Sequence, residues 1–123
     1  MTTLATHLWL DDIRAPPEGW TWCKTAAEAI AMLKTGLVEF ASLDHDLGLS
    51  ITSDPEDSLA TAREHEVPTG YDVCKWMVMN DVYPKQFLKF HTANPVGRAN
   101  MRQLISRYRP EVMEYRPYRP FPA

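Results

Sequence analysis

Four aspartates follow apolar runs of the sequence in two pairs. Asp11 and Asp12 come directly after the first run, and Asp44 and Asp46 come after a later one. Crowding these carboxylates into one cleft is costly unless protons or a cation compensate for their charge. Carboxylate oxygens suit Mg²⁺, and an imidazole among them also admits Mn²⁺ or Zn²⁺. The alternative is that some of these acids cap helices or pair with arginines such as Arg14.

Two histidines accompany these acids. His91 follows another apolar run and precedes Thr92 and Asn94, so its imidazole could exchange protons beside donors for a phosphate oxygen. His45 stands between two of the aspartates, and on a continuing strand its ring would point away from them. A catalytic role for His45 therefore requires a break at the strand end, and a structural role in the core is the alternative for both histidines.

The segment after His91 also has the features of an anion site. Asn94 and Pro95 are a favourable cap and first residue of a helix, whose free backbone N–H groups attract phosphate. Thr92 and Arg98 would add a hydroxyl and a guanidinium, and Arg14, beside the first acids, is a further candidate for substrate binding.

The pattern of strands and helices predicts how these groups are positioned. Strands are predicted at residues 4–10, 20–23, 38–43 and 86–90, with a final edge strand at 112–115. Helices are predicted after the cap residues Thr25, Thr69 and Asn94. We therefore expect an α/β fold, a flavodoxin-like three-layer sandwich with a mainly parallel five-stranded sheet of order 2-1-3-4-5. Ligands gather at the carboxyl ends of such strands, where the polar clusters would converge.

Length and composition limit the classes of protein. The 123 residues fit one domain, and the net charge of −3 argues against strong binding to duplex DNA. No long apolar stretch predicts a membrane span, so we expect a soluble, cytoplasmic protein. Cys23 and Cys74 belong to no CxxC motif and are expected to be reduced and buried. Residues 49–68 are expected to form a long loop or lid, and residues 116–123 a Pro-rich tail.

Four segments carry a family resemblance over essentially the whole chain. The segments "LDDIR", "SLDHDLG", "TGYDVCKWM" and "HTANPVGRANM" resemble the response-regulator receiver domain and, within it, the cyclic-phosphate-processing receivers. The resemblance implies that Asp11 and Asp12 coordinate Mg²⁺, that Asp44 occupies the phospho-accepting position and that Thr92 contacts phosphate. Receivers carry a lysine after strand five, where this chain offers only Arg116. The first and last receiver helices are also reduced, which would leave sheet surface uncovered and favours a homodimer.

The function expected from these observations is a metal-dependent phosphoesterase acting on cyclic phosphates of nucleotides or RNA ends. Asp11, Asp12 and Asp44, with Asp46, would bind the metal ion. Of His45 and His91, one would act as base and the other as acid, and the sequence does not assign which. One alternative is a signalling module that accepts phosphate on Asp44, and another is a nucleotide-binding module without turnover. A nuclease of Toprim type ranks third, because those enzymes use Glu where this chain has Asp.

Overall fold

Four short strands form one parallel sheet in the computed structural model, which describes residues 6–47 and 68–114. The strands are β1 His7–Leu10, β2 Thr21–Cys23, β3 Phe40–Leu43 and β4 Phe87–Phe90. Their order in the sheet is β2-β1-β3-β4. The predicted order of the first four strands is therefore confirmed, and the ends of β1, β3 and β4 meet at one edge.

Two α-helices connect β2 to β3 and β3 to β4, and a third follows β4, each beginning after a predicted cap residue. They are α1 Ala26–Leu33, α2 Gly70–Asn80 and α3 Pro95–Tyr108. Thr25 caps α1 as predicted, since its hydroxyl accepts from the Glu28 N–H at 3.1 Å, but Glu28 Oε1 accepts from the N–H of Lys24 and not from that of Thr25, so the reciprocal bond of a capping box is not formed. Thr69 and Asp72 form a capping box at the start of α2, and Asn94 caps α3. These caps fix where each helix starts relative to the strand end before it.

One face of the sheet packs against the helices. Leu8 and Leu10 of β1, with Leu43 and Leu88 from the neighbouring strands, are buried in a single core with side chains of all three helices. The residues that alternate with them, among them Trp9, lie outside this core cluster. The described chain therefore has a sheet with one helical layer, which positions the site at the carboxyl edge and leaves the second face aromatic.

Two features of the predicted fold differ from the structure. The connection from β1 to β2 contains no helix, because only ten residues including Pro16 and Pro17 separate the strands. One of the two helical layers of the predicted three-layer sandwich is thus missing from the described residues, as expected for a reduced first helix. The predicted fifth strand is not seen, since Pro110–Met113 forms a 3₁₀ helix that buries Val112 beside β4. The predicted lid at 49–68, apart from Pro68, and the tail at 116–123 lie outside the described residues.

Both cysteines are free and buried, as predicted. Burial, and secondarily the charge of Glu28, raises the pKa of Cys23 from 9.0 to about 11, and burial raises the pKa of Cys74 further. None of the described helices is long and apolar enough to cross a membrane.

We therefore expect both thiols to resist alkylation in the folded protein. At pH 8 the higher pKa of Cys23 lowers its thiolate fraction roughly 100-fold, and burial excludes the reagent as well. Mass spectrometry after a short maleimide pulse should show unmodified native protein and two adducts in denaturant. Fast labelling of the native protein would contradict the burial of these side chains.

Candidate metal and phosphate site

Three carboxylates meet where β1 and β3 end side by side. Leu10 and Leu43 are paired across the two strands, and the Asp44 N–H donates to the Leu10 carbonyl at 2.9 Å. Oxygens of Asp11, Asp12 and Asp44 lie within 4.8 Å of one another. Opposite ligands of one Mg²⁺ ion are about 4.2 Å apart, so a single ion fits this group with small side-chain adjustments. The hard oxygen donors favour Mg²⁺ or Mn²⁺ over softer metals.

Both carboxylate oxygens of Asp11 have hydrogen-bond or ion-pair partners. Its Oδ1 accepts from the N–H groups of Ile13 and Arg14 at 2.9 and 2.8 Å. Its Oδ2 lies 3.0 Å from His91 Nε2 and 3.2 Å from Arg14 Nε. Burial alone would raise the pKa of Asp11, but the backbone donors, His91 and Arg14 together lower it below its usual value. Asp11 is therefore ionised, and it holds the loop that carries Asp12 and Arg14.

His91 links Asp11 to the sheet. Its Nδ1 lies 2.7 Å from the hydroxyl of Ser42, and its ring stacks on Trp9 with centroids 3.9 Å apart. Burial lowers the pKa of His91 despite the opposing effect of Asp11, so the neutral ring is favoured. An ionised Asp11 can only accept, so His91 Nε2–H donates to it and Nδ1 accepts from Ser42. His91 thereby orients the Asp11 carboxylate by a hydrogen bond, as residues that contact metal ligands do in other metal sites.

Replacing His91 with alanine is expected to weaken Mn²⁺ binding about tenfold, because Asp11 loses the group that orients it. The variant His91→Gln can still donate to Asp11 and should recover part of the affinity. His7, another half-buried histidine in an aromatic stack, contacts none of these acids, and His7→Gln is the matched control. Equal Mn²⁺ affinity in His91→Ala and the wild type would refute the orienting role.

His45 lies on the other side of Asp44, against the start of α3. A Cβ atom built on Gly97 would lie 2.5 Å from His45 Cγ, so the ring packs directly on the helix backbone. Its Nδ1 is 2.8 Å from Asp46 Oδ1. The side chain is 19% exposed and is not among the residues that line the acidic cleft. The His45 N–H donates to Asp44 Oδ1 at 2.8 Å, whereas the His45 ring contacts the cleft through Asp46.

Asp46 lines the cleft but lies outside the three-carboxylate group. Its carboxylate is 46% exposed, and the Asn94 amide nitrogen lies 3.3 Å from both of its oxygens. Asn94 Oδ1 meanwhile accepts from the Gly97 N–H at 2.9 Å, so this predicted substrate ligand is engaged as a helix cap. Asp46, His45 and Asn94 thus form a second carboxylate–imidazole unit at the cleft wall.

The remaining predicted ligands divide between the cleft and its surroundings. Arg14 and Thr92 line the cleft, whose volume is about 440 Å³. The Arg14 side chain is 54% exposed, which leaves its guanidinium room to meet an anion. Arg98 is turned back, with Nη2 donating to the Thr92 carbonyl at 2.9 Å, and it does not line the cleft. The cleft therefore places acids, one arginine and one hydroxyl around a space suited to a metal-bound phosphate.

Gly70 brings α2 onto the site. A Cβ atom there would lie 2.0 Å from the Asp44 carbonyl oxygen, and the Gly70 N–H donates to the His45 carbonyl at 3.0 Å. The first turn of α2 therefore rests directly on the backbone that carries Asp44.

Gly70→Ala is expected to lower the free energy of unfolding by about 2–3 kcal/mol and to weaken metal binding as Asp44 shifts. Gly36→Ala is the control, since Gly36 has φ +74° and a Cβ atom there would meet no other described residue within 4 Å beyond its two chain neighbours. That variant should lose about 1 kcal/mol from backbone strain and keep its metal affinity. Chemical denaturation with and without Mn²⁺ distinguishes the two, and unchanged Mn²⁺ binding in Gly70→Ala would contradict the contact.

Sequence reasoning missed several residues of this site. Ser42 and Trp9 were not predicted as partners of His91, although strand alternation places them on the same sheet face as one another. Gly97 was passed over because a glycine inside a predicted helix carries no signal of what packs on it. The contact with His45 depends on how α3 crosses the end of β3, which no local pattern encodes.

A parallel sheet of order 2-1-3-4 with an acidic cleft at the ends of β1 and β3 defines a receiver-like α/β domain. The model of a protein family described as "Cyclic-phosphate processing Receiver domain" matches residues 6–107 of the chain. The chain therefore belongs to this family. No curated protein and no solved structure matches the chain.

Proposed function

We propose that the protein is a metal-dependent phosphoesterase that opens cyclic phosphates of nucleotides or RNA ends. The observation that carries the proposal is the group of three carboxylates beside Arg14 and Thr92 in one cleft. Membership in a family described as processing cyclic phosphates supports the substrate class. The free, buried thiols are compatible with the reducing cytoplasm, where we place the activity.

Asp11, Asp12 and Asp44 would hold a divalent ion, Mg²⁺ or Mn²⁺. When bound, this ion would polarise the phosphoryl group and offset its charge. The Arg14 guanidinium and the Thr92 hydroxyl would hold the non-bridging oxygens of the phosphate. These contacts would hold the phosphate beside the three carboxylates.

Proton transfer is assigned to the pair Asp46 and His45. Asp46 would accept a proton from the attacking water. His45, whose Nδ1 lies 2.8 Å from Asp46 Oδ1, would stabilise the Asp46 carboxylate as its charge changes. The water oxygen forms a bond to phosphorus as the bond to one ribose oxygen breaks. That oxygen takes a proton from solvent. His91 supports the reaction by orienting Asp11, so a positioning role replaces the acid or base role expected for it from the sequence.

The direct test is incubation with 2′,3′- and 3′,5′-cyclic nucleotides and Mg²⁺ or Mn²⁺. Product formation followed by ³¹P NMR, abolished by a chelator, would support the proposal. Tight binding in calorimetry without product under either metal would replace it with a nucleotide-binding module.

A second candidate is a signalling module that accepts phosphate on Asp44. The observation in its favour is the position of Asp44 beside Asp11 and Asp12, as in receivers. Against it, no lysine lines the described cleft. Acetyl phosphate treatment followed by intact mass measurement decides, because a stable adduct lost in Asp44→Asn would favour the switch.

A further inference from the structure

A continuous row of aromatic rings crosses the sheet face opposite the helices. Starting at the cleft, His91 stacks on Trp9 at 3.9 Å, and Trp9 meets Trp20 edge-on at 6.2 Å. Trp20 contacts His7 at 5.2 Å, and His7 stacks on Phe40 at 4.8 Å. We call these five residues the aromatic row. It begins at the imidazole that holds Asp11 and ends at the opposite edge of the sheet.

The aromatic row lies outside the helix-facing core of the protein. Trp9, His7 and Phe40 alternate along their strands with core residues, and none of them belongs to the core cluster. All five residues of the row keep part of their surface accessible. At its far end the row lines a pocket of about 570 Å³ together with Phe87 and Lys89.

Away from Asp11, which contacts His91 at one end of the row, the charges found next to the rings of this face are positive. Lys89, which is exposed, places Nζ 5.8 Å from the centroid of Trp20, and Lys24 Nζ lies 4.4 Å from the ring of Trp22 on the same face. Among the residues that the structure describes, no carboxylate lines the pocket at the far end of the row. Rings beside cations bind stacked bases and the phosphates between them. The acidic cleft and the aromatic row with its neighbouring lysines would therefore bind different parts of one ligand.

We propose that the aromatic row binds the bases of single-stranded RNA whose end lies in the cleft. The assignment of the end to the cleft rests on the proposed function, whereas base binding by the row does not. From His7 to Asp11 the strand spans about 13 Å, and stacked nucleotides advance about 3.4 Å each. A base at the far end of the row thus belongs to a nucleotide several positions from the cyclic phosphate. The substrate that uses the whole surface is an RNA strand rather than a mononucleotide.

A second copy of the chain fits this surface less well. Packing two such faces together would bring Lys89 of each copy into an apolar interface, where an ammonium group without a carboxylate partner is costly. A polyanion gains from the same lysine. Charge thus favours RNA as the occupant.

The test measures binding of a fluorescein-labelled ten-nucleotide oligoadenylate with a 3′-hydroxyl end, in a chelator so that neither metal nor turnover contributes. We expect saturable anisotropy changes at low salt and quenching of tryptophan fluorescence. Trp20→Leu and Lys89→Glu should each weaken binding about tenfold. Lys34→Glu makes the same charge change on an exposed residue at the end of α1 and should leave binding unchanged.

Absence of binding by the wild type, or equal binding by Trp20→Leu, Lys89→Glu and the wild type, overturns the inference. A dimer seen by sedimentation that Lys89→Glu dissociates, with no RNA binding, also overturns it and assigns the face to a second copy. The two proposals fail separately. Turnover of cyclic mononucleotides without oligonucleotide binding refutes only the aromatic row, and binding without any turnover refutes only the phosphoesterase.

Discussion

Asp44→Asn is expected to lower turnover of a 2′,3′-cyclic nucleotide by about 10³-fold, equivalent to about 4 kcal/mol of transition-state stabilisation. Asparagine keeps the shape of the side chain but removes one of the three charges that hold the cation. The same change relieves repulsion among the three clustered acids when no metal is bound, so the melting temperature in chelator should stay equal or rise. The stabilisation that the wild type gains from added Mn²⁺ should disappear.

The matched control for this substitution is Asp81→Asn. Asp81 is 74% exposed, far from the cleft lining, and adopts φ 54°, a conformation that asparagine accepts readily. This variant should retain wild-type turnover and Mn²⁺ stabilisation. If Asp44→Asn kept its activity while folding normally, Asp44 could not belong to the metal site.

Asp46→Asn is expected to lower turnover about 10²-fold while leaving metal affinity unchanged. The reason is positional, since Asp46 lines the cleft and contacts His45 but stands outside the three-carboxylate group. Steady-state kinetics and Mn²⁺ titration on the same preparation separate the two effects. A loss of metal affinity in proportion to the loss of turnover would instead make Asp46 a ligand, as the sequence pattern first indicated.

Asn94→Ser is the control for Asp46→Asn, and we expect it to lower turnover less. Serine retains an oxygen that can cap α3 but removes the amide nitrogen 3.3 Å from the Asp46 carboxylate. Turnover should fall only a few-fold because His45 still contacts Asp46. A loss as large as that of Asp46→Asn would mean that Asn94 itself binds substrate.

Local patterns predicted most of the fold that positions the site. Alternation and cap residues located the four strands and the three helices to within a few residues, and the parallel order placed the acids of β1 and β3 at one edge. The prediction of an edge strand at 112–115 was wrong, because residues 110–113 form a 3₁₀ helix. Val112 is buried in this helix, and it would be buried in a strand as well. A short strand and a 3₁₀ helix that each bury one face therefore show the same apolar pattern in the sequence.

The roles of the histidines were less accessible from sequence. The pattern after β3 and β4 indicated that His45 and His91 lie near the acids, and each ring does contact one aspartate. Which way each ring faces depends on tertiary partners, Ser42 and Trp9 for His91 and Gly97 for His45. Such contacts between distant segments determine whether an imidazole meets substrate or holds another side chain.

The most direct test of the shared cation is a Mn²⁺ titration followed by electron paramagnetic resonance. The wild type should bind one Mn²⁺ ion, Asp12→Asn and Asp44→Asn should each lose it, and Asp46→Asn should retain it. Mn²⁺ binding that survives both Asp12→Asn and Asp44→Asn, or no saturable binding to the wild type, would contradict a metal site built from the ends of β1 and β3.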